Sequence, residues 1–146
     1  MKQGDFLFEL EEMIDDVKTG LLATVDSEGR PRMRWMTPAI LKDRSGALYA
    51  VTSRDFAKRE QLEARPKVQW MFQSRCLDKI LYVEGSVNVV ENSSMLNEVL
   101  EVVGPRLRVF WKMNNDETSL VVLETVMESG AVYMPMTGIK ERTSFG

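Results

Sequence analysis

Apolar and polar positions alternate along this chain with two different periods. Phe6, Leu10, Met13, Ile14 and Val17 recur at helical spacing, while Glu9, Glu11, Glu12, Asp15 and Asp16 cover the other positions. The spacing predicts an amphipathic helix from Asp5, acting as cap, to about Val17, laid against a sheet. An exposed interaction helix is the other reading of the same pattern. From Gly20 the period changes to two. Residues 20–25 read as a strand, Asp26-Ser27-Glu28-Gly29 as a hairpin turn with Gly29 free to take a positive φ, and the segment from Pro31 to Met36 as the returning strand. Alternation puts Arg30, Arg32 and Arg34 on one face of that strand and Met33 and Trp35 on the other. Arginines at this spacing either line a solvated face or form a surface for an anion or a flat ring, because a guanidinium bonds in bidentate fashion and stacks.

A second hairpin is expected, with Ala39 to Leu41 pairing with Ala47 to Val51 around a turn at residues 42–46. It leads into LYAVTSRDFAKREQL, residues 48–62. Here an apolar strand meets Thr52-Ser53-Arg54-Asp55, and a polar helical pattern follows from about Phe56 to Ala64. Ser53 or Asp55 can cap this helix. A helix start with Thr52 and Ser53 hydroxyls and the charges of Arg54, Lys58 and Arg59 makes a phosphate cradle. An ordinary capped, solvated helix fits the same residues. Strands are then expected over Lys67 to Phe72 and Lys79 to Val90, with Gly85 marking a bulge or barrel bend. Ser93 or Ser94 would cap a short helix reaching Val103, which Gly104-Pro105 ends. A brief helix over Arg106 to Met113 groups Leu107, Phe110 and Trp111. Residues 119–127 read as a strand, Glu128-Ser129-Gly130 as a turn and residues 131–134 as its return. Thr137 to Gly146 reads as a loose polar tail. Six to eight short antiparallel strands with few helices imply a mainly β (α+β) fold, a small closed or half-closed barrel.

At 146 residues the chain suits one domain spanning residues 1–146. Its net charge of −3 argues against a nucleic-acid or membrane-surface role driven by bulk charge. It contains no histidine, which removes triads with a histidine base and histidine-ligated metal sites. The single cysteine, Cys76, admits no internal disulfide and falls in an expected loop. The start of the chain shows no signal-peptide core, and no window of roughly 18 apolar residues occurs. A cytoplasmic protein without membrane or nucleic-acid partners is the expectation.

Three segments in this order, LLATVDSEGRPRMRWM, LYAVTSRDFAKREQL and VQWMF with YVEGSV, resemble the pyridoxamine 5′-phosphate oxidase-like flavin-binding split barrels, and more narrowly their small general-stress-protein members. The likeness runs from about Gly20 to Val90. It implies a split β-barrel with flanking helices, a homodimer, and flavin mononucleotide (FMN) in the cleft between subunits. Within the resemblance, Arg34 corresponds to the basic strand residue near the flavin phosphate. Trp35, Met36 and Thr37 correspond to the strand beside the isoalloxazine ring, and Val51 and Thr52 to the strand end that touches the flavin. Lys58 corresponds to a phosphate-binding lysine. Ala57 stands where an arginine commonly precedes that lysine, and Arg54 could supply the missing charge from another angle. Ile80 stands where the vitamin-converting oxidases carry a glutamine. Trp35, Met36 and Trp111 can wall the ring.

Those oxidases also share a C-terminal segment bearing Arg and His that grips pyridoxal phosphate. This chain ends GIKERTSFG without histidine, so pyridoxamine phosphate oxidation itself is not expected. The resemblance leaves an FMN-dependent oxidoreductase acting on a small molecule or a reduced nicotinamide. The alternatives are a stress-response protein that holds flavin, deazaflavin or haem without turnover, or a dimeric scaffold that has lost its cofactor. The flavin would carry the redox chemistry, so no side chain is singled out as catalytic.

Overall fold

The computed structural model describes residues 1–57, 59–104 and 120–146. Its elements in order are α1 (Gln3–Val17), β1 (Gly20–Val25), β2 (Pro31–Met36), β3 (Ala47–Ser53), α2 (Arg54–Ala57), α3 (Arg59–Ala64), β4 (Lys67–Gln73), β5 (Ile80–Val90), α4 (Ser93–Val103), β6 (Leu120–Met134) and β7 (Ile139–Ser144). The seven strands form one antiparallel sheet in the order β2-β1-β4-β5-β6-β3, with β7 pairing β6 beyond that path. The sheet is mainly β in character, curled and not closed, with helices on its flanks: a split barrel. Its path ends at β2 and β3. Just after β2, Ala39 forms a single bridge to Tyr49 of β3.

The curl has a visible cause. Glu84 pairs with Ser129 and Gly85 with Met127, so Glu128 of β6 is an extra residue with no partner in β5. Such a bulge bends and twists its strand. A Cβ on Gly85 would lie 2.3 Å from the Val126 carbonyl oxygen, so the bend needs glycine at that point. The bulge lets β6 run for 15 residues, pairing β3 with its first half and β7 with its second. Across the curl, the buried Trp70 indole of β4 donates its Nε1–H to Thr125 Oγ1 of β6 at 3.1 Å, although β5 lies between the two strands.

Two apolar clusters fill the molecule. The first lies inside the curl and holds Leu22, Met36, Leu48, Ala50, Trp70, Phe72, Val121 and Leu123 together with Phe6, Leu10, Met13 and Ile14 of α1. The second holds Tyr49, Val51, Leu120 and Val122 under Met95, Val99 and Val103 of α4. β3 and the first half of β6 feed alternate side chains into the two clusters. That accounts for their nearly unbroken apolar sequences.

Several boundaries differ from the sequence expectation. α1 starts before Asp5, after Lys2, with no side-chain cap; Lys18 in the left-handed region ends it. α4 is capped by Asn92, whose Oδ1 accepts the Met95 N–H at 3.1 Å, instead of by Ser93 or Ser94. The expected strand at residues 39–41 is reduced to the Ala39 bridge, as Pro38 has no N–H to extend a ladder. The expected turn at residues 128–130 is the bulge inside β6. Gly130 there serves packing: a Cβ would stand 2.4 Å from the Phe6 ring. The expected loose tail is β7, and its turn uses Gly138 at φ 72. The expected helix over residues 106–113 lies outside the described residues. Among the described residues no helix is long and apolar enough to cross a membrane.

Thr125→Val would strand the Trp70 N–H in an apolar interior. We expect a loss of about 1–3 kcal/mol, read as a lower urea midpoint at unchanged slope, with Thr125→Ser recovering most of it.

Candidate functional site

The β1–β2 hairpin is organised by Asp26. Its Oδ1 accepts the N–H groups of Glu28 and Arg30, both at 2.9 Å, and its Oδ2 accepts Arg32 Nε at 3.0 Å. Gly29 takes the expected positive φ of 82° and donates its N–H to the Asp26 carbonyl. That carbonyl also accepts Arg65 Nη1, at 2.8 Å, from just beyond α3. Hydrogen bonds to the charged form, the Arg30 N–H first, hold the Asp26 carboxyl below its usual value.

Between this hairpin and α3 lies a cavity of about 510 Å³. Its walls include Arg32 and Arg34 of β2, Leu22 and Thr24 of β1, and Gln61 and Leu62 of α3. Leu123 of β6 stands at the back, and residues 26–28 form the end at the hairpin turn. The pairs Leu22–Arg34 and Thr24–Arg32 set the two arginines on successive rungs of the inner face. Burial lowers the Arg34 pKa from its ordinary value, although a guanidinium remains charged. Leu22, Leu62 and Leu123 supply apolar wall, and Thr24 and Gln61 supply neutral polar groups. The volume and mixture suit a small, elongated anion with an apolar part, and the half-buried guanidinium suits its phosphate or carboxylate.

The open strand edges add main-chain groups. The Asp26 N–H donates to the Arg30 carbonyl at 2.9 Å, so alternation along the pair directs the main-chain groups of Arg32 and Arg34 towards β1. Those of Met33 and Trp35 therefore point to the open edge of β2. Tyr49 and Ala39 exchange both main-chain bonds, at 2.7 and 2.9 Å, so Val51, two residues on, also directs its main chain to the open edge of β3.

The structure sorts the residues singled out in the sequence. Arg34 lines the cavity, and Met36, on the same face, is buried in the first cluster. Trp35 is turned to the opposite face of β2 and is 65% exposed; Met33 beside it is 63% exposed. Trp35 borders a separate outer hollow with Leu21, Met71, Gln73 and Arg75. Its side chain therefore does not share the Arg34 cavity, since successive strand residues face opposite ways. Thr37 and Thr52 are buried, while the Val51 side chain belongs to the cluster under α4. Ser53 ends β3. Arg54 does not line the cavity; it pairs with Glu91 at 2.9 Å. Lys58 and Trp111 lie outside the described residues. In place of a start at Phe56, helix is seen from Arg54, over the described residues 54–57 (α2) and 59–64 (α3). Cys76 is exposed in the turn before β5.

Sequence reasoning missed Leu22, Thr24, Gln61, Leu62 and Leu123. The register across a turn at residues 26–29 could have placed Leu22 and Thr24 opposite the arginines. Leu123 and the α3 pair come from remote elements with no local signal.

The family model described as pyridoxamine 5′-phosphate oxidase matches residues 7–122. The chain belongs to this family. No curated protein matches it. Among solved structures it is similar to a Clostridium acetobutylicum protein related to general stress protein 26 of B. subtilis, with a TM-score of 0.77 and 14% identity over 99% of this chain and 97% of that one. A pyridoxamine 5′-phosphate oxidase-related, FMN-binding protein from Nostoc punctiforme gives a TM-score of 0.64 and 12% identity, covering 99% and 96%. A heme-binding protein from Mycobacterium smegmatis gives a TM-score of 0.70 and 18% identity, covering 99% of this chain and 60% of that one. At these identities the likeness is one of fold. The structural neighbours include an FMN-binding and a heme-binding protein, which leaves the ligand to be argued from the site.

A lowered carboxyl pKa contributes stability that is present above the unfolded value and is lost as pH falls through the folded one. The hairpin should accordingly keep its amide protection at pH 5 and lose it below 3.8, the ordinary Asp26 value. Hydrogen exchange at Glu28 and Arg30 reads this, and Asp26→Asn should abolish the pH dependence.

Proposed function

We propose that this chain binds FMN in the cavity between the β1–β2 hairpin and α3 and works as an FMN-dependent oxidoreductase on a small molecule or a reduced nicotinamide. The observation that carries the reading is Arg34, a partly desolvated guanidinium in the wall of a cavity of about 510 Å³ with leucines around it. FMN has a phosphate, a polyol and a flat ring. Arg34 would meet the phosphate, with Lys58 as the second cation that the family resemblance implies. Gln61 and Thr24, both in the cavity wall, would bond polyol hydroxyls. The open-edge main chain at Trp35 and Val51, with Thr37 after β2 and Thr52 and Ser53 at the end of β3, would serve the polar rim of the ring. Bound there, the flavin would supply one- and two-electron redox chemistry. The protein's part is to hold it, orient it and limit water. Holding flavin without turnover is the alternative within the same site.

The Met33–Trp35 face supports a homodimer. These two exposed side chains continue through the register Trp35–Leu21–Met71 across three strands. An apolar band of this kind on a sheet edge suits a second copy of the chain.

The purified protein should show flavin absorbance, or take up added FMN with quenching of its fluorescence. Arg34→Gln should loosen FMN at least about tenfold, roughly 1.4 kcal/mol, and leave riboflavin affinity nearly unchanged. A protein that takes up no FMN refutes the reading. Anaerobic bleaching by NADH or NADPH separates an enzyme from a carrier. Trp35→Glu should move the sedimentation behaviour from dimer to monomer, and a monomeric wild type would remove the dimer.

A further inference from the structure

α3 is held at both ends. Just past its last residue, Arg65 donates to the Asp26 carbonyl at 2.8 Å. At its first residue, Arg59 donates Nη2 to the Val89 carbonyl at 3.0 Å and Nη1 to Glu91 Oε1 at 3.3 Å, and its Nε pairs with Glu63 at 3.2 Å. Arg54, the first residue of α2, meets the same Glu91 Oε1 at 2.9 Å. A single carboxylate oxygen on the chain just beyond β5 thus receives the guanidiniums of both Arg54 and Arg59.

The anchors also fix where α3 lies. Arg65 ties the chain after α3 to the hairpin at Asp26, and Arg59 ties α3 to the end of β5 at Val89 and Glu91. Between the anchors, Gln61 and Leu62 form the cavity wall opposite the hairpin.

We propose that Glu91 is a positioning residue for the phosphate end of this cavity. By holding Arg59 it sets the distance between α3 and Arg34. By holding Arg54 as well it ties the junction of β3 and α2 to the end of β5. Resting as it does on the FMN reading, the role is specific to the phosphate. Exposed ion pairs stabilise a fold little one by one, so what Glu91 supplies is local geometry.

The test titrates the full chain, as wild type, Glu91→Gln and Glu91→Asp, with FMN and separately with riboflavin, followed by flavin fluorescence. Glu91→Gln should weaken FMN about five- to tenfold, the scale of one charge-assisted contact, and riboflavin less than about twofold, as it has no phosphate to misplace. Glu91→Asp, which keeps the charge, should recover part of the loss. Equal weakening of both flavins means a merely structural role and overturns the proposal; so does FMN binding that is unchanged or tighter. A melting curve shows whether the variants are folded. If Glu91→Gln is not, Arg59→Gln carries the same comparison. Wild type that takes up neither flavin removes the FMN reading and this role with it. Wild type that binds FMN with an indifferent Glu91→Gln removes the Glu91 role alone.

Discussion

The extra residue in β6 opposite the Glu84–Gly85 link is the constraint on which the rest of the molecule depends. A flat sheet would give α1 one face and leave Trp70 and Thr125 apart. With β6 offset by one residue, the sheet folds over itself, Trp70 reaches Thr125, and an interior forms that α1 closes. The same curl brings Leu123 of β6 behind the β1–β2 hairpin, where it forms the back of the Arg34 cavity. The cavity therefore has no local origin. Its floor, walls and cover come from β1, β2, β6 and α3, brought together by one irregularity in one pairing.

Within that frame, charge is sorted by connection. Several arginines lie near the hairpin and helices, and their connections differ. Arg32 is bound to Asp26, Arg65 to the Asp26 carbonyl, and Arg54 and Arg59 to Glu91. Arg34 is the one that burial singles out: it sits in the cavity wall with its solvation reduced, where an anionic ligand group gains most from it. A count of basic residues would have given all five the same weight.

Much of the fold was legible because local chemistry dictated it. The apolar spacing of α1, the Asp26–Gly29 turn, the face shared by Arg32 and Arg34, the bend at Gly85 and the exposed loop around Cys76 follow from rules spanning a few residues. The errors have a common cause. Glu128-Ser129-Gly130 carries turn residues, yet serves a bulge and the close approach of Phe6. Residues 139–144 are polar because β7 is a solvated outer strand, and its pairing with β6 has no signature in its own sequence. The site followed the same division. Arg34 could be read from alternation, whereas Glu91, 37 residues beyond Arg54 in the chain and brought beside it by tertiary pairing, could not.

The alternating side chains of β3 and β6 have a consequence for how the protein comes apart. Val121 and Leu123 belong to one apolar compartment and Leu120 and Val122 to the other, on a single backbone. Neither compartment can be opened without displacing a strand that also lines its neighbour. The barrel and the α4 layer therefore form one cooperative unit, in which the slowest-exchanging amides of both belong to the same global opening. Loosening α4, though it lies on the opposite face of β6 from Leu123, would be felt as a softer back wall in the ligand cavity.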